Sequence, residues 1–157
     1  MNLFSSSSEI SHFPVMLKEV IKICKPNKGG IFVDCTFGGG SYSKELLKFP
    51  KTKVLALDRD SYVIKIAEKL KENYPSRFSF HNEKFSNLEQ VLNNKIKPDN
   101  IIFDLGVSSF QLSDMSRGFS FNSKDKIDMN MGLSDLSAEE VINNFDEYSL
   151  KLIIKTL

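Results

Sequence analysis

Apolar residues recur at helical spacing after Pro14, at Met16, Leu17, Val20, Ile21 and Cys24, and Pro26 with Gly29-Gly30 ends the run. This predicts a first helix behind a Ser-rich arm over residues 1–11. Four short apolar runs follow, Ile31-Phe32-Val33, Val54-Leu55-Ala56-Leu57, Phe78-Ser79-Phe80 and Ile101-Ile102-Phe103, with a helical pattern between each pair. The intervening helices are predicted at about 41–48, 61–73 and 86–94, the last opening on a capping box, Ser86-Asn87-Leu88-Glu89. Strands alternating with helices need crossover connections, so the sheet should be parallel and covered on both faces. From Leu105 to Leu133 no period is sustained, and a loop of that length in a compact domain is more often functional than idle. A second capping box, Ser137-Ala138-Glu139-Glu140, predicts a helix through Phe145. Leu150, Ile153, Ile154 and Leu157 then form an apolar stripe without a Gly cap, which reads as a chain that stops early.

Composition narrows this frame. The 157 residues, 41% hydrophobic, suffice for one core, and 21 Lys+Arg against 20 Asp+Glu leave no global basic excess of the kind that marks many nucleic-acid binders. Cys24 and Cys35 form no disulfide framework and read as buried thiols in a reducing compartment. The first seventeen residues carry no Lys or Arg, and no apolar run reaches membrane-spanning length, so the expected location is the cytoplasm with no membrane partner. His12 and His81 are too few and too isolated for a metal site and read as structural histidines. The Lys-rich stretch 65–71 reads as a solvated helix face.

Candidate chemistry begins at Asp34-Cys35-Thr36-Phe37-Gly38-Gly39-Gly40-Ser41-Tyr42-Ser43. A glycine-rich turn between a buried strand and a helix lets a ligand approach the main chain beside the free N–H groups of the helix start. Asp58 ends the second strand eighteen residues after Gly40, where an acid can accept hydrogen bonds from both hydroxyls of a ribose. Either feature alone has an ordinary structural explanation: a tight strand–helix turn for the glycines, a helix N-cap for Asp58 or Asp60. Together they favour a nucleotide-like ligand. A G-x-G-x-x-G fingerprint is not completed, because Ser43 stands three after Gly40; the spacing therefore leans to S-adenosylmethionine over NAD without deciding between them.

After the fourth strand come Asp104-Leu105-Gly106-Val107-Ser108-Ser109-Phe110-Gln111-Leu112, Arg117-Gly118-Phe119-Ser120-Phe121 and Asp128-Met129-Asn130-Met131. With His12-Phe13-Pro14-Val15, the Asp34–Ser43 loop and Asp58-Arg59-Asp60, this set closely resembles the RsmH (MraW) family of S-adenosylmethionine-dependent methyltransferases, which methylate the N4 amine of a cytidine in 16S ribosomal RNA. The resemblance implies a Rossmann-like class I α/β fold with a parallel, incomplete sheet. It divides the chain into a cofactor-binding core over 12–110, carrying the first four strands, and the beginning of a helical insertion over 111–157. Cofactor contacts carried over by motif are Gly40, Ser41 and Tyr42 in the loop, Asp58 for the ribose, Phe85 for the adenine face, and Asp104 and Gln111 near the sulfonium. No catalytic base and no metal are implied. The implied partner is small-subunit ribosomal RNA within the assembled subunit.

The sequence departs from the family at Ser41-Tyr42, where Gly-His is common, and at Asn130, where the motif has Arg. Relatives continue further, so only about half the protein is expected here, inactive by itself and with a hydrophobic sheet edge. Phe110, Phe119 and Phe121 are candidates to stack on a splayed base, with core packing the better expectation for each, and Arg117 is the expected phosphate contact. Two other functional classes stay open from the sequence: a methyltransferase of different substrate, and a non-catalytic nucleotide-binding module.

Overall fold

The computed structural model describes residues 14, 16–134 and 136–156; the arm, His12, Phe13 and Val15 lie outside them. Each of the four apolar runs is a strand: β1 (Gly30–Asp34), β2 (Thr52–Asp58), β3 (Phe78–Asn82) and β4 (Asn100–Ile102). All pairings are parallel in the order β3-β2-β1-β4, with Val33 between Leu55 and Ile101 and with Ala56 opposite Phe80. Alternate residues of β1 and β2 enter two cores. Phe32, Val54 and Ala56 pack with Leu46, Leu47, Ala67 and Leu70, while Val33, Cys35, Leu55 and Leu57 pack under Leu88, Val91, Leu92 and Ile96. This double burial is why both strands read as continuous apolar runs.

The first core is covered by α1 (Leu17–Cys24), α2 (Ser41–Leu47) and α3 (Ile64–Asn73), the second by α4 (Leu88–Leu92). The order reverses direction between β1 and β4, so the loops that leave these two strands diverge and open a crevice at their C-terminal ends. Lys65, Lys69 and Lys71 are exposed, as their helix face predicts.

Three local expectations change. Ser86 does not cap a helix: it lies inside a 3₁₀ turn, Phe85–Asn87, whose own N-cap is Lys84, and α4 is correspondingly short. Asn93 and Asn94 end α4 in the left-handed region, at φ 49° and 54°. Cys24 is half-buried against the first core, where burial raises its thiol pKa, and Cys35 is buried, its thiol pushed up to about 11 by burial; His81 is exposed, so it does not fill the structural role its sequence context suggested.

The stretch from Leu105 to Leu133 is anchored rather than idle. It contains α5 (Ser109–Ser113), opened by a full capping box between Ser108 and Gln111, and a 3₁₀ turn at Met115–Arg117. Arg117 is buried; its Nη1 donates to Asp60 Oδ2 at 2.7 Å and its Nη2 to the Asn130 carbonyl at 2.7 Å. Its guanidinium lies 4.3 Å from the Tyr62 ring centroid and 5.4 Å from that of Phe119. The expectation of a phosphate contact at Arg117 is therefore corrected, because its charge is spent inside the protein. Gln111 Nε2 reaches the same Asp60 oxygen at 2.9 Å, and Arg59 Nε holds the Gly132 carbonyl at 3.2 Å. The strap so formed leads to α6 (Ala138–Asn144), capped by Ser137 and Glu140 as the sequence indicates, and to α7 (Glu147–Thr156). Core packing fails as a reading for Phe121, which is fully exposed, and for Phe110, 44% exposed.

Two stability outcomes follow. Leu46→Ala, at a position with no exposed surface, should lower the unfolding free energy by about 2–5 kcal/mol in urea titration. Arg117→Ala leaves Asp60 as a buried unpaired charge and should lower it by about 3–5 kcal/mol, with Asp60→Asn in the same background recovering part of the loss.

Candidate functional site

The glycine loop is held from beneath by two carboxylates. Asp34, at the end of β1, has no exposed surface and accepts from Ser43 Oγ at 2.7 Å, from the Ser43 amide and from the Thr36 amide at 3.4 Å. Burial pushes its carboxyl up to about 6, with these donors opposing the shift and nearby Asp58 adding to it. Asp58 ends β2 and accepts from the Gly38 amide at 2.7 Å through Oδ2 and from the Asp60 amide at 2.9 Å through Oδ1. Its carboxyl is also raised, chiefly by burial.

Each glycine meets a different demand. Gly38 takes φ 49° and aims its N–H at Asp58. Gly40 takes φ 74° as the N-cap of α2, and a Cβ there would fall 2.7 Å from the Phe37 ring. Gly39 faces Phe110, 3.2 Å from where a Cβ would stand.

The residues expected to contact a cofactor converge on the C-terminal ends of the strands, in differing degrees of readiness. Asp58 is half-buried, and with two donors accepted its two oxygens keep lone pairs for further donors. Ser41 is half-exposed at the first turn of α2, where amides lack intrahelical acceptors. The Gly40 amide is committed to the Phe37 carbonyl at 2.7 Å. Tyr42 is buried in the first core, and its phenol bonds the Asp104 carboxylate; burial, then that carboxylate, raises its pKa. Asp104 is exposed, its amide held by Thr36 Oγ1 at 2.8 Å. Gln111 is buried with both ends of its amide engaged, by Asp60 and by the Ser108 amide at 2.8 Å.

Phe85, 45% exposed, makes an edge contact with Phe103 at 5.6 Å between centroids and 87° between planes. Since β3 and β4 are opposite edges of the sheet, this contact carries the β3 loop over the ends of β2 and β1. Phe103 was overlooked as a site residue because it reads as the last apolar residue of a strand. Asn130, at the position where the family motif has Arg, shapes a turn through the Gly132 amide and Ser134 carbonyl. A cleft of about 490 Å³ lies away from the glycine loop, between Lys126, Asp128 and α6. Among the described residues no cluster of His, Cys, Asp and Glu could hold a metal.

Asp34 generates a pH prediction. Its folded-state pKa lies above the ordinary 3.8, so the native state binds more protons than the unfolded chain between pH 3.8 and about 6. Its contribution to stability is complete below that window and falls as pH rises through it, by up to about 3 kcal/mol. Urea unfolding of the parent and Asp34→Asn across pH 4–7 should give a stability difference that declines to pH 6 and is flat above; a pH-independent difference would show that Asp34 does not titrate in that range.

A family model described as the MraW methylase family matches residues 9–157. Proteins named Ribosomal RNA small subunit methyltransferase H are similar: that of Ehrlichia ruminantium (strain Gardel) is 44% identical over 91% of this chain and 49% of its own length, and that of Rickettsia bellii (strain OSU 85-389) is 49% identical over 91% and 47%. The Rickettsia canadensis (strain McKiel) protein is 48% identical over 92% and 46%. The chain spans about half the length of the curated relatives it matches. A Rossmann-like parallel sheet with its glycine loop clamped by the acid of the second strand, matched by that model over nearly all of its length, makes this chain a member of the MraW methylase family.

Proposed function

We propose that this chain supplies the S-adenosylmethionine-binding core of an enzyme that methylates the N4 amine of a cytidine in small-subunit ribosomal RNA, within the assembled subunit in the cytoplasm. The name carried by its relatives, Ribosomal RNA small subunit methyltransferase H, supports the reaction class and the RNA. The observation that carries the reading is the Asp58 carboxylate, fixed by the Gly38 and Asp60 amides with acceptor capacity to spare at the mouth of the crevice. The donor set fits the ligand: Asp58 and Asp104 suit hydroxyls and a cation, and the exposed Phe85 face suits a purine. In this reading residues 12–110 form the cofactor core and residues 111–157 begin a helical insertion.

Bound S-adenosylmethionine supplies a methyl group activated by its sulfonium. The protein's task is then alignment and exclusion of water, since the displacement needs no covalent intermediate. Asp58 holds the ribose hydroxyls, Ser41 and the adjoining main chain of Gly40 and Tyr42 meet the amino-acid end, and Phe85 covers adenine. Asp104, oriented by Tyr42 and by Thr36 Oγ1, is placed to accept a hydrogen bond from the target amine or to face the sulfonium. Gln111 contributes the remaining N–H of its amide, the other being fixed on Asp60. No residue is assigned as a base.

Asp58→Ala should weaken S-adenosylmethionine binding at least tenfold, about 1.4 kcal/mol by calorimetry. An unchanged affinity with an intact fold would remove the ribose role. Transfer of labelled methyl to naked rRNA and to assembled small subunits, followed by nucleoside analysis for N4-methylcytidine, tests the acceptor; label in any other nucleoside would overturn it.

A further inference from the structure

The chain's net charge of +1 conceals a separation along the strand direction. At the C-terminal ends stand Asp34, Asp58, Asp60 and Asp104; Arg117 neutralises Asp60, Arg59 and Lys84 stand nearby, and Asp58 and Asp104 are the carboxylates open to a ligand. At the N-terminal ends, the connections into β1, β2 and β4 carry Lys25, Lys28, Lys51, Lys95 and Lys97, and the second residue of β2 is Lys53, all exposed, against one carboxylate, Asp99; Lys48, in the same region, is paired with Glu45 of α2. That carboxylate is already engaged by the Ile31 amide at 2.8 Å. Among the described residues none of the six lysines is in an ion pair.

The fold gathers these connections. Parallel pairing puts the four strand starts side by side, and the backbone stitches them together: Gly30 N–H to the Lys51 carbonyl at 3.1 Å, Val54 N–H to the Arg77 carbonyl at 2.8 Å, Asp99 N–H to the Ile31 carbonyl at 2.8 Å. A cleft of about 290 Å³ opens beside them, walled in part by Lys53; Lys71 and Arg77 also line it but are spent on the Phe78, Phe49 and Leu47 carbonyls. With about 3.3 Å per residue, β2 holds the two charged ends some ~20 Å apart. That is more than twice the ~8 Å screening length in physiological salt, so each end acts on its own ligand.

Asp58 and Asp104 at the mouth favour a cationic sulfonium there, whereas the unpaired lysines at the opposite end favour phosphates. The lysine end also lacks what a membrane surface needs: none of its four connections exposes a large apolar side chain, and the lysines are interleaved with Pro, Asn, Ser and Gly. We propose that this lysine-lined end of the sheet is an RNA-anchoring surface that grips the phosphodiester backbone of the folded RNA whose target nucleotide enters the opposite end. This rests on the RNA substrate proposed above.

The test uses the whole chain, a folded small-subunit rRNA fragment, and fluorescence anisotropy across a KCl series. Lys51→Gln/Lys53→Gln/Lys95→Gln/Lys97→Gln should weaken binding more than tenfold and flatten the salt dependence by about 0.7–0.9 in log–log slope per contacting lysine removed. Lys65→Gln/Lys69→Gln on α3 should change neither quantity, and calorimetric affinity for S-adenosylmethionine should be the same in all three proteins. An unchanged slope in the fourfold variant, no RNA binding by the parent, or tighter binding to phosphatidylserine vesicles than to RNA would each overturn the proposal. The cofactor readout separates the two readings: lysine-dependent RNA binding without cofactor binding sinks the donor-site assignment alone, and the converse sinks the anchor alone.

Discussion

One carboxylate oxygen, Asp60 Oδ2, takes both the Arg117 guanidinium and the Gln111 amide in a place closed to water, and the far side of the crevice depends on it. The same residue's Oδ1 caps the turn that opens α3 through the Tyr62 amide, and its own amide fixes Asp58. A residue with four such obligations cannot move without moving the strap, the helix start and Asp58 together. A buried ion pair of this kind adds little net stability over an apolar replacement, yet breaking one side of it is expensive. Its value here is positional: it converts a stretch with no hydrophobic period into a wall of defined placement.

Charge is arranged as economically as packing. Carboxylates concentrate where the strands end; burial first, and neighbouring carboxylates second, raise the pKa values of Asp34 and Asp58, and the exposed Asp104 with half-open Asp58 favours a positively charged ligand over a phosphate. The near-neutral total therefore says little about nucleic-acid partners, because it sums two surfaces of opposite preference. Composition records the sum, and only the parallel topology reveals the separation.

What the sequence made legible were the features that local chemistry dictates. Parallel strands buried on both faces appear as apolar runs, and all four were found; Ser137 with Glu140 forms the capping box its spacing suggests. Ser86 misled because a 3₁₀ turn begins one residue earlier and takes Ser86 into its interior. The box at Ser108 and Gln111 passed unnoticed because α5 has only five residues, too few to show a period. Arg117 was misread for a deeper reason: its partner lies 57 positions away, and a cation in a polar stretch looks the same whether it meets a phosphate or a buried aspartate. Phe103 was missed through the opposite error: it reads as the last apolar residue of a strand, but β4 ends at Ile102 and the half-exposed ring meets Phe85.

The three aspartates beneath the glycine loop show how similar side chains are sorted into different tasks by what surrounds them. Asp34 is sealed, so every donor it meets is protein and its carboxyl is pushed up to about 6. Asp60 is sealed as well, but faces an arginine, so its charge is balanced internally. Asp58 alone is half-open, with one amide on each oxygen, a state in which the carboxylate is oriented without being saturated. A ligand hydroxyl arriving there meets acceptors already aligned by the backbone, and no side chain must be reordered to receive it. The glycine loop supplies one of those two amides, which ties the three-residue run to the acid eighteen positions beyond it: the bare backbone is needed to aim the carboxylate as much as to admit the ligand.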